Sequence, residues 1–571
     1  MNEPPRDRTL WLWRGATCVA AAVFLVLCIL AAREETPTID EFGHVPAGVN
    51  YWKHGQFILY AKNPPLLRLW MALPVVADSR VVVPAFSGSP LAWGPWEYGQ
   101  KFMEANRALY FDLFFRARLM VVVLGLATGA LIFFWTRRYF GERAAAVAAS
   151  LFFLSPPILA HGHLATVDMG CTLTILVACL VLSWARRRGG AAAMAVLGAA
   201  LGTALAVKFT ALLIVPAALV LLGWSREAAG SRPRRRAALW ARDVAIVICV
   251  ALFVVNAAYG FKGSFRRLGE YRFYSRFCLG VQGTLPGVLP VPVPHDYLAG
   301  FDAVKRDTES GEEFQSYLRG EWSRQGWWYY NLMALLVKTP VPVLLLALAG
   351  IAMWRRSGAG AAETWPIVLP AALLFLFLSA FNSVNTGIRY VLPLYPFLHL
   401  ATGAVFAERG GGGRWRWRDA LAIAALAAGL VTAVAAYPDE LAYFNVIAGG
   451  NSRGHEWLLD SNLDWGQDLY RVPAAVARLK PQGPIGLLYC GHVDPELYGI
   501  EYYPVPPRPV EGVLAVSVNF VMGMRYLAPA PGGKIAWVAP DHLAWLKAYE
   551  PVARLGSIWV YDTRRGPATA R

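Results

Sequence analysis

Two adjacent carboxylates, Asp40 and Glu41, are candidates for acid–base chemistry in this chain. They lie in TIDEFGHVPAG, a few residues beyond an apolar stretch at 13–32. Adjacent side chains point in different directions, so one carboxylate can face a reaction centre while the other makes structural hydrogen bonds. A carboxylate near a low-dielectric boundary is a competent general base, and both residues are therefore candidate catalytic groups. The alternative is an ordinary acidic loop, or a helix cap made by Asp40.

Single cations in apolar surroundings form a second group. They are Lys208 in ALAVKFTALL, Lys338 in LLVKTPVP and Arg389 in NTGIRYVLPLYPF, where Tyr390 follows. Burying a lone cation costs several kcal/mol unless it is paired. A lipid-linked phosphate would supply the pairing. The alternative is a side chain that extends to the headgroups, an interpretation that is strongest for Lys208.

Lys62 and Arg68 flank the segment KNPPLLR. Prolines are common where a helix begins, and the apolar stretch that follows is too short to cross a bilayer. We predict a helix in the plane of the membrane interface, from which both cations could contact a lipid phosphate. Extension to the headgroups is the alternative.

His161, His163 and Asp168 lie together in HGHLATVD. Two histidines and an aspartate are typical metal ligands, but His-x-His is not the i,i+4 spacing of a helical metal site and no further ligand follows. A polar loop that faces a substrate is the favoured interpretation. No metal or other cofactor is assigned, although a divalent metal could be held by the carboxylates at 40, 41 and 168.

The composition indicates the class of protein that holds these residues in place. Of 571 residues, 56% are hydrophobic and only 16% are charged, with a mean hydropathy of +0.39, which argues against a set of soluble globular domains. The net charge of +16 would suit a nucleic-acid partner. However, the basic residues form short clusters between long apolar runs, which indicates a membrane protein in contact with lipids and without nucleic acid.

Eleven apolar runs are candidates for transmembrane helices. They cover about 13–32, 116–136, 143–160, 168–185, 190–206, 208–224, 243–260, 331–353, 365–381, 388–407 and 419–437. Seven cysteines are too few for a disulfide framework. Cys278 and Cys490 could pair, but a pair of free thiols is at least as consistent with the sequence.

Arginine clusters in alternate short loops predict the orientation of the spans. These loops hold Arg137-Arg138, Arg186 to Arg188, Arg232 with Arg234 to Arg236, Arg355-Arg356, and Arg414, Arg416 and Arg418. The N-terminus is then cytoplasmic, and the candidate site residues collect at the outer membrane face. A transporter usually carries charges near the bilayer centre, where this chain has almost none.

The predicted fold class is mainly α, a polytopic membrane protein with a small C-terminal α/β domain. The membrane domain covers residues 1–437, with large outer loops at 33–115 and 261–330, and an extracytoplasmic domain covers 438–571. In the tail, strand-length apolar runs at 485–490, 513–518, 535–538 and 558–561 alternate with helical patterns at about 467–479 and 541–549.

The ordered motifs resemble those of the large GT-C membrane glycosyltransferases that use polyprenyl-phosphate sugars, such as protein O-mannosyltransferases and lipid A aminoarabinose transferases. The resemblance rests on IDEFGHVPAGVNYWKHGQF, KNPPLLRLW, HGHLATVD, GTALAVKFTALL, KTPVP and GIRYVLPLYPFL. DSNLDWGQDL at 460–469 resembles a signature of a bacterial subgroup. The chain reads KNPP where the lipid A enzymes show an acid–lysine pair before the prolines, which leaves the role of Lys62 and the sugar open.

The resemblance implies an enzyme of a bacterial inner membrane. It implies a polyprenyl-phosphate-linked sugar as donor and a protein, glycan or lipid as acceptor. Asp40 matches the acidic residue taken as the base, and Asp168 matches the acid at the start of the fourth span. Lys208 and Arg389 match cations that hold the carrier phosphate. A single displacement would invert the anomeric centre.

Two questions stay open at this level. A flippase or transporter that moves a polyprenyl-linked lipid without covalent chemistry is the alternative function. The segment DSNLDWGQDL lacks the glycine and the final glutamate of a calcium loop. It could contact the acceptor or sugar, or Asp464 could cap the helix that follows; the structural role is slightly favoured.

Overall fold

The computed structural model describes residues 9–86, 94–227, 233–310, 315–354, 360–407, 417–481, 483–530 and 534–567. Helices dominate these ranges. The first ten are α1 (Thr9–Glu34), α2 (Ile39–His54), α3 (Leu66–Val76), α4 (Gly94–Ala105), α5 (Tyr110–Phe140), α6 (Glu142–Phe153), α7 (Pro156–His163), α8 (Asp168–Arg188), α9 (Gly190–Val207) and α10 (Val215–Glu227). The others are α11 (Pro233–Ala258), α12 (Arg276–Thr284), α13 (His295–Ser310), α14 (Tyr330–Lys338), α15 (Val341–Met353), α16 (Ala361–Ala380), α17 (Tyr395–Val405), α18 (Trp417–Ala436), α19 (Val472–Leu479) and α20 (Val518–Val521).

The chain is a multi-pass membrane protein. Within the described ranges seven helices are long and apolar enough to cross a membrane, namely α1, α5, α8, α9, α11, α16 and α18, and the number is nine if two bent pairs each form one span. The two other predicted spans correspond to shorter pieces, each a 3-10 helix followed by α10 or α17. The count of eleven therefore stays a prediction.

Prolines cause the two bends. α6 and α7 meet at 62° and α14 and α15 at 117°. Pro156 and Pro157 occupy the first positions of α7, and Thr339 before Pro340 has an extended backbone. Proline cannot donate the helical hydrogen bond, and it disfavours helical conformation in the residue before it. The predicted straight span at 331–353 is consequently two helices, and Lys338 is the last residue of the first.

The strands of the described chain are β1 (Ser316–Leu318), β2 (Glu321–Ser323), β3 (Ile485–Leu488), β4 (Tyr502–Pro504), β5 (Val513–Ser517), β6 (Tyr526–Ala530), β7 (Lys534–Val538), β8 (Ala553–Leu555) and β9 (Ile558–Asp562). In the C-terminal region, five of them form a mixed sheet in the order β4–β3–β5–β9–β8. β3 pairs in parallel with β4 and β5, and β9 pairs antiparallel with β5 and β8. The four apolar runs predicted as strands are β3, β5, β7 and β9.

The C-terminal region is packed against the membrane helices. Buried residues of β3 and β5, such as Leu488 and Leu514, belong to the same hydrophobic core as Phe42 and Val45 of α2. Backbone amides of Thr36 and Ile39 donate to the carbonyls of Gln467 and Trp465, each at 3.0 Å. The predicted division between 437 and 438 stays a prediction.

Some of the arginines that predict the orientation lie outside the described residues. They are Arg232, Arg355, Arg356, Arg414 and Arg416. All seven cysteines are free thiols. Cys278 and Cys490 are both buried, and no disulfide bond links them.

Candidate active site

Two ion pairs bring together carboxylates and cations that are far apart in sequence. The Arg389 guanidinium donates to Asp40 Oδ2 at 2.5 Å, and the Lys208 ammonium donates to Asp168 Oδ1 at 2.6 Å. The centre of the Tyr390 ring lies 5.2 Å from Lys208 Nζ and 5.6 Å from the Arg389 guanidinium carbon, so the ring lies beside both pairs. We call these five residues the paired-charge site.

Helix termini position the paired-charge site. Asp40 is in the first turn of α2 and Asp168 is the first residue of α8, where a helix dipole favours negative charge. Lys208 directly follows α9 in an extended conformation. Arg389 lies in a 3-10 helix, Ile388–Leu394, that precedes α17. The polar residues therefore sit where apolar helices end.

The two carboxylates differ in accessibility. The Asp40 side chain is 20% exposed and that of Asp168 is 1% exposed. Asp40 is therefore the more accessible of the two carboxylates, whereas Asp168 is enclosed and pairs with the Lys208 ammonium. Thr166 also donates its hydroxyl to Asp168, at 3.1 Å.

Glu41 has a structural position. Its carboxylate accepts from Arg118 Nε and Nη2 at 2.7 Å each, from the Ala165 amide at 2.7 Å, and from the Thr38 amide and hydroxyl. Burial alone would raise the pKa of Glu41, but the Arg118 guanidinium and the hydrogen bonds lower it below its usual value. Because Glu41 is fully buried, this placement speaks against the predicted catalytic role and leaves Asp40 as the accessible carboxylate.

Neither cation of KNPPLLR is part of the paired-charge site. Arg68 is fully buried and donates to the Tyr60 carbonyl, the Asn63 carbonyl and the Tyr51 hydroxyl. Lys62 pairs with Asp307 of α13 at 2.7 Å. The predicted contact of Arg68 with a lipid phosphate conflicts with its burial, because its guanidinium holds the loop at 60–63 against α2.

Lys338 also has a structural position rather than the predicted position in a phosphate site. Its buried ammonium donates to the carbonyls of Leu441 at 2.8 Å and Asn462 at 2.6 Å, and lies 4.2 Å from the centre of the Phe444 ring. Sequence reasoning could not find these partners, because they are carbonyl groups more than 100 residues away. Lys338 connects the end of α14 to the C-terminal region.

The two histidines of HGHLATVD differ. His163 Nδ1 lies 2.8 Å from the Leu159 carbonyl and Nε2 lies 3.0 Å from a Glu35 carboxylate oxygen, so His163 is part of the helix packing. His161 is buried, and its ring lies edge-on to Trp465 at 6.2 Å. Within the described ranges, no three His, Cys, Asp or Glu side chains are grouped so that they could share a metal ion.

Two residues border the site in DSNLDWGQDL, a segment for which the sequence favoured a structural role over contact with the acceptor or sugar. The Trp465 ring centre lies 4.4 Å from the Arg389 guanidinium carbon. Burial raises the pKa of Asp460 to about 6, with Arg389 and the Ser461 amide opposing and the Asp40 charge adding to the shift. The dense polar composition of the motif was the signal that could have identified them.

Other residues of the motif hold the paired-charge site to the C-terminal sheet. Asn462 accepts from the Ile388 amide at 2.9 Å, next to Arg389. Asp464 accepts from the Gly466 amide at 3.0 Å and from the Ser517 hydroxyl at the end of β5. Asp464 thus closes a turn and reaches the sheet, and it does not cap the helix predicted at 467–479.

Comparison with known proteins gives one match of sequence and several of structure. Residues 102–259 match the family model described as dolichyl-phosphate-mannose-protein mannosyltransferase. No curated protein matches the chain.

The structural similarities are distant. The crystal structure of ArnT from Cupriavidus metallidurans in the apo state is 15% identical, covers 96% of this chain and 98% of its own, and has a TM-score of 0.47. The crystal structure of the same protein bound to undecaprenyl phosphate is 15% identical, covers 96% of this chain and 98% of its own, and has a TM-score of 0.45. The Archaeoglobus fulgidus oligosaccharyltransferase in the apo form is 14% identical, covers 76% of this chain and 56% of its own, and has a TM-score of 0.45.

The matched segment 102–259 contains α5 to α11, and it includes His161, Asp168 and Lys208. It is the part of the chain that supplies the Lys208–Asp168 ion pair. The match to mannosyltransferases confirms the predicted resemblance of this chain to the GT-C membrane glycosyltransferases that use polyprenyl-phosphate sugars.

Proposed function

We propose that this protein transfers a sugar from a polyprenyl-phosphate carrier to an acceptor hydroxyl at the outer face of the membrane. The observation that carries the proposal is the reachable Asp40–Arg389 pair beside the enclosed Asp168–Lys208 pair. One accessible carboxylate and two adjacent cations are what this transfer requires. The match of residues 102–259 to mannosyltransferases supports the same chemistry.

The reaction would proceed as a single displacement. The oxygen of the acceptor hydroxyl attacks the anomeric carbon while Asp40 takes the hydroxyl proton. The bond from the anomeric carbon to the phosphate oxygen breaks at the same time. The carrier leaves as polyprenyl phosphate, whose developing charge Arg389 and Lys208 stabilise. Attack opposite the leaving group inverts the anomeric centre. Because phosphate is already a good leaving group, no strong general acid is needed.

Arg389 has two roles in this scheme. In the structure it balances the charge of Asp40, and its Nε has no hydrogen-bond partner among the described residues. A carrier phosphate could therefore bind the guanidinium while the pair with Asp40 is kept. The Trp465 ring supports the other side of the guanidinium by a cation–π contact.

The charge pattern supports the proposed location of the reaction. The arginine-rich short loops predict a cytoplasmic N-terminus, and Asp40 and the C-terminal region, with a proposed boundary near 437/438, would then lie on the outer side of the membrane. The family resemblance favours a bacterial inner membrane. Accessibility of single cysteines to a membrane-impermeant thiol reagent tests this orientation, and labelling at α2 only after the membrane is opened would contradict it.

Transfer is tested with Asp40→Asn. The purified protein in nanodiscs is given radiolabelled polyprenyl-phosphate sugars one at a time, with a membrane-extract pool of acceptors. We expect transfer to fall by at least about 100-fold in Asp40→Asn, since general base catalysis contributes roughly 10²–10⁴-fold. The matched control is Asp541→Asn, an exposed carboxylate of the C-terminal region, which should keep wild-type activity.

The same assay distinguishes the alternative function. Transfer that survives in Asp40→Asn contradicts the role of Asp40. Movement of the labelled carrier between leaflets without any new product would favour a flippase.

A further inference from the structure

Three buried histidines of the described chain lack hydrogen-bond partners. They are His44, His161 and His492, and none of their ring nitrogens is paired within the described part of the chain. A buried polar group without a partner costs free energy, so native proteins rarely keep one without a reason. Polar atoms that are left unpaired next to a reaction centre indicate a ligand that pairs them.

His44 is one helical turn beyond Asp40 on α2, so the two side chains lie on the same face of the helix. Its ring stacks on Tyr60 with centroids 4.7 Å apart. Burial lowers the pKa of His44 well below its usual value, and the Arg68 guanidinium lowers it further, although Asp168 opposes. The imidazole is therefore neutral, with one donor and one acceptor nitrogen.

His492, in the C-terminal region, is a second buried histidine that stacks on an aromatic ring. Its ring stacks on Trp96 at 5.2 Å and lies 6.2 Å from Tyr526. Trp96 in turn meets the edge of Tyr60 at 5.9 Å. Burial lowers the pKa of His492 to about 4, so this imidazole is neutral as well. We call Tyr60, Trp96, His492 and Tyr526 the aromatic face.

Gly43 explains how the aromatic face lies so close to Asp40. A Cβ atom at Gly43 would be 2.9 Å from Trp96 Cζ3 and 3.0 Å from Tyr60 Cε1. The absence of a side chain lets both rings rest directly on α2, between Asp40 and His44 in sequence. The charge of Asp40 also reaches Tyr60 and Tyr526, whose pKa values are raised by burial first and by neighbouring negative charge second.

We propose that His44, Trp96 and His492 contact a sugar ring next to Asp40, so that the C-terminal region supplies part of the sugar recognition. The inference rests on the proposed function. A sugar presents an apolar C–H surface that suits an aromatic ring and a rim of hydroxyls that both donate and accept. Neutral imidazoles match those hydroxyls, whereas the cations that suit a phosphate lie in the paired-charge site.

The sugar could belong to the donor or to a glycan acceptor, and two binding measurements distinguish these sources. In the first, nanodiscs with the wild type are titrated with undecaprenyl phosphate and with undecaprenyl phosphates that carry a hexose, an N-acetylhexosamine or a pentose. In the second, a pool of glycans released from the cell envelope is titrated in the presence of saturating undecaprenyl phosphate. Binding of the glycan pool, but no preference among carriers, places the acceptor sugar at this face.

The informative variant is His492→Phe, which keeps a ring for stacking and removes the nitrogens. For a donor sugar, we expect wild type to bind one sugar-loaded carrier about tenfold more tightly than the bare carrier, the size of one net hydrogen bond. His492→Phe should abolish that preference and leave binding of the bare carrier unchanged. His492→Gln, which restores a donor and an acceptor, should recover part of it. His44→Phe should act in the same direction.

The matched control is His542→Phe, also in the C-terminal region, whose Nε2 contacts the Val505 carbonyl at 2.7 Å. It should keep the wild-type preference. The proposal is overturned if wild type shows no preference and binds no glycan, or if His492→Phe and His44→Phe bind every probe as wild type does. Sugar preference without transfer would instead contradict the proposed function alone, and transfer with an unchanged preference in the variants would contradict this inference alone.

Discussion

At the scale of single residues, the site depends on which of several charged groups is left accessible. Asp40 and Arg389 are partly exposed, whereas Asp168 is enclosed by Lys208 and Thr166. Each carboxylate has one cation, so the four side chains carry no net charge. The paired charges therefore satisfy one another in the absence of substrate, which reduces the cost of keeping them next to apolar helices.

The Asp168–Lys208 pair can be tested by removing one or both charges. Asp168→Asn leaves the Lys208 ammonium without its carboxylate and should destabilise the protein by about 3 kcal/mol, as found for broken buried pairs. Adding Lys208→Met should restore most of that stability but not sugar transfer, because the phosphate then loses a cation. Thermal unfolding in detergent and the transfer assay give the two readouts. Equal stability of the single and double variants would contradict the pairing.

Glu41 tests the distinction between a structural and a catalytic carboxylate. Glu41→Gln weakens the contact with Arg118, so we expect a loss of about 3 kcal/mol in unfolding free energy. Transfer per folded molecule, measured at low temperature, should stay within a few-fold of wild type. A loss of activity as large as that of Asp40→Asn in a well-folded Glu41→Gln protein would show that Glu41 takes part in the reaction.

At the scale of elements, the position of Arg389 depends on a contact between two segments. Gly387 has a φ of 146°, which favours glycine, and a Cβ atom there would lie 2.6 Å from Ser461 Oγ. The Ser461 hydroxyl donates to the Thr386 carbonyl, and Asn462 accepts from the Ile388 amide. DSNLDWGQDL thus places the 3-10 helix that carries Arg389.

Gly387→Ala should move that 3-10 helix. Backbone strain and the contact with Ser461 should together cost about 1–3 kcal/mol and lower the affinity for undecaprenyl phosphate. Gly499→Ala is the control, because Gly499 also has a positive φ of 68° but no atom within 4 Å of the added Cβ. The control should lose stability without losing carrier affinity. Unchanged affinity in Gly387→Ala would show that the contact does not position Arg389.

At the scale of the whole molecule, one buried acid connects separate segments of the C-terminal region. Asp468 accepts from the Ser557 amide and hydroxyl, each at 2.8 Å, and contacts Arg471 at 3.2 Å. Burial raises the pKa of Asp468 to about 7, although Arg471 opposes the shift. A raised carboxyl pKa means that the folded state holds a proton that the unfolded state releases between about pH 4 and 7, so this group makes stability fall as pH rises through that window.

Asp468→Asn should therefore become more favourable relative to wild type as pH rises from 5 to 8. The difference in unfolding free energy should change by about 3 kcal/mol, because about two pH units of the window up to the pKa of about 7 lie above pH 5. Buried His492, with its lowered pKa, gives wild type an opposite slope between about pH 4 and 6.5, so the two proteins are compared at each pH. If the stability of Asp468→Asn relative to wild type falls or stays constant as pH rises, the raised pKa of Asp468 is contradicted.

The spans, the C-terminal strands and the resemblance could be predicted from the sequence because they depend on local apolar runs and ordered motifs. Pro156 and Pro340 were visible in the sequence, yet the runs at 143–160 and 331–353 were each predicted as a single span. Apolar composition alone does not report the direction of a chain after a proline. Shorter strands such as β4 and β8 carry too few residues for a recognisable alternation.

A membrane protein with acids and cations at the ends of its helices could be predicted from composition and spacing, because both are local properties. How those groups are used depends on the three-dimensional packing. It made Asp40 accessible and Glu41 buried, paired Arg389 with an acid 349 positions away, and gave Lys338 to the backbone of the C-terminal region. The physical reason is that charge pairing and burial depend on distances between distant segments, which residue type and spacing do not contain.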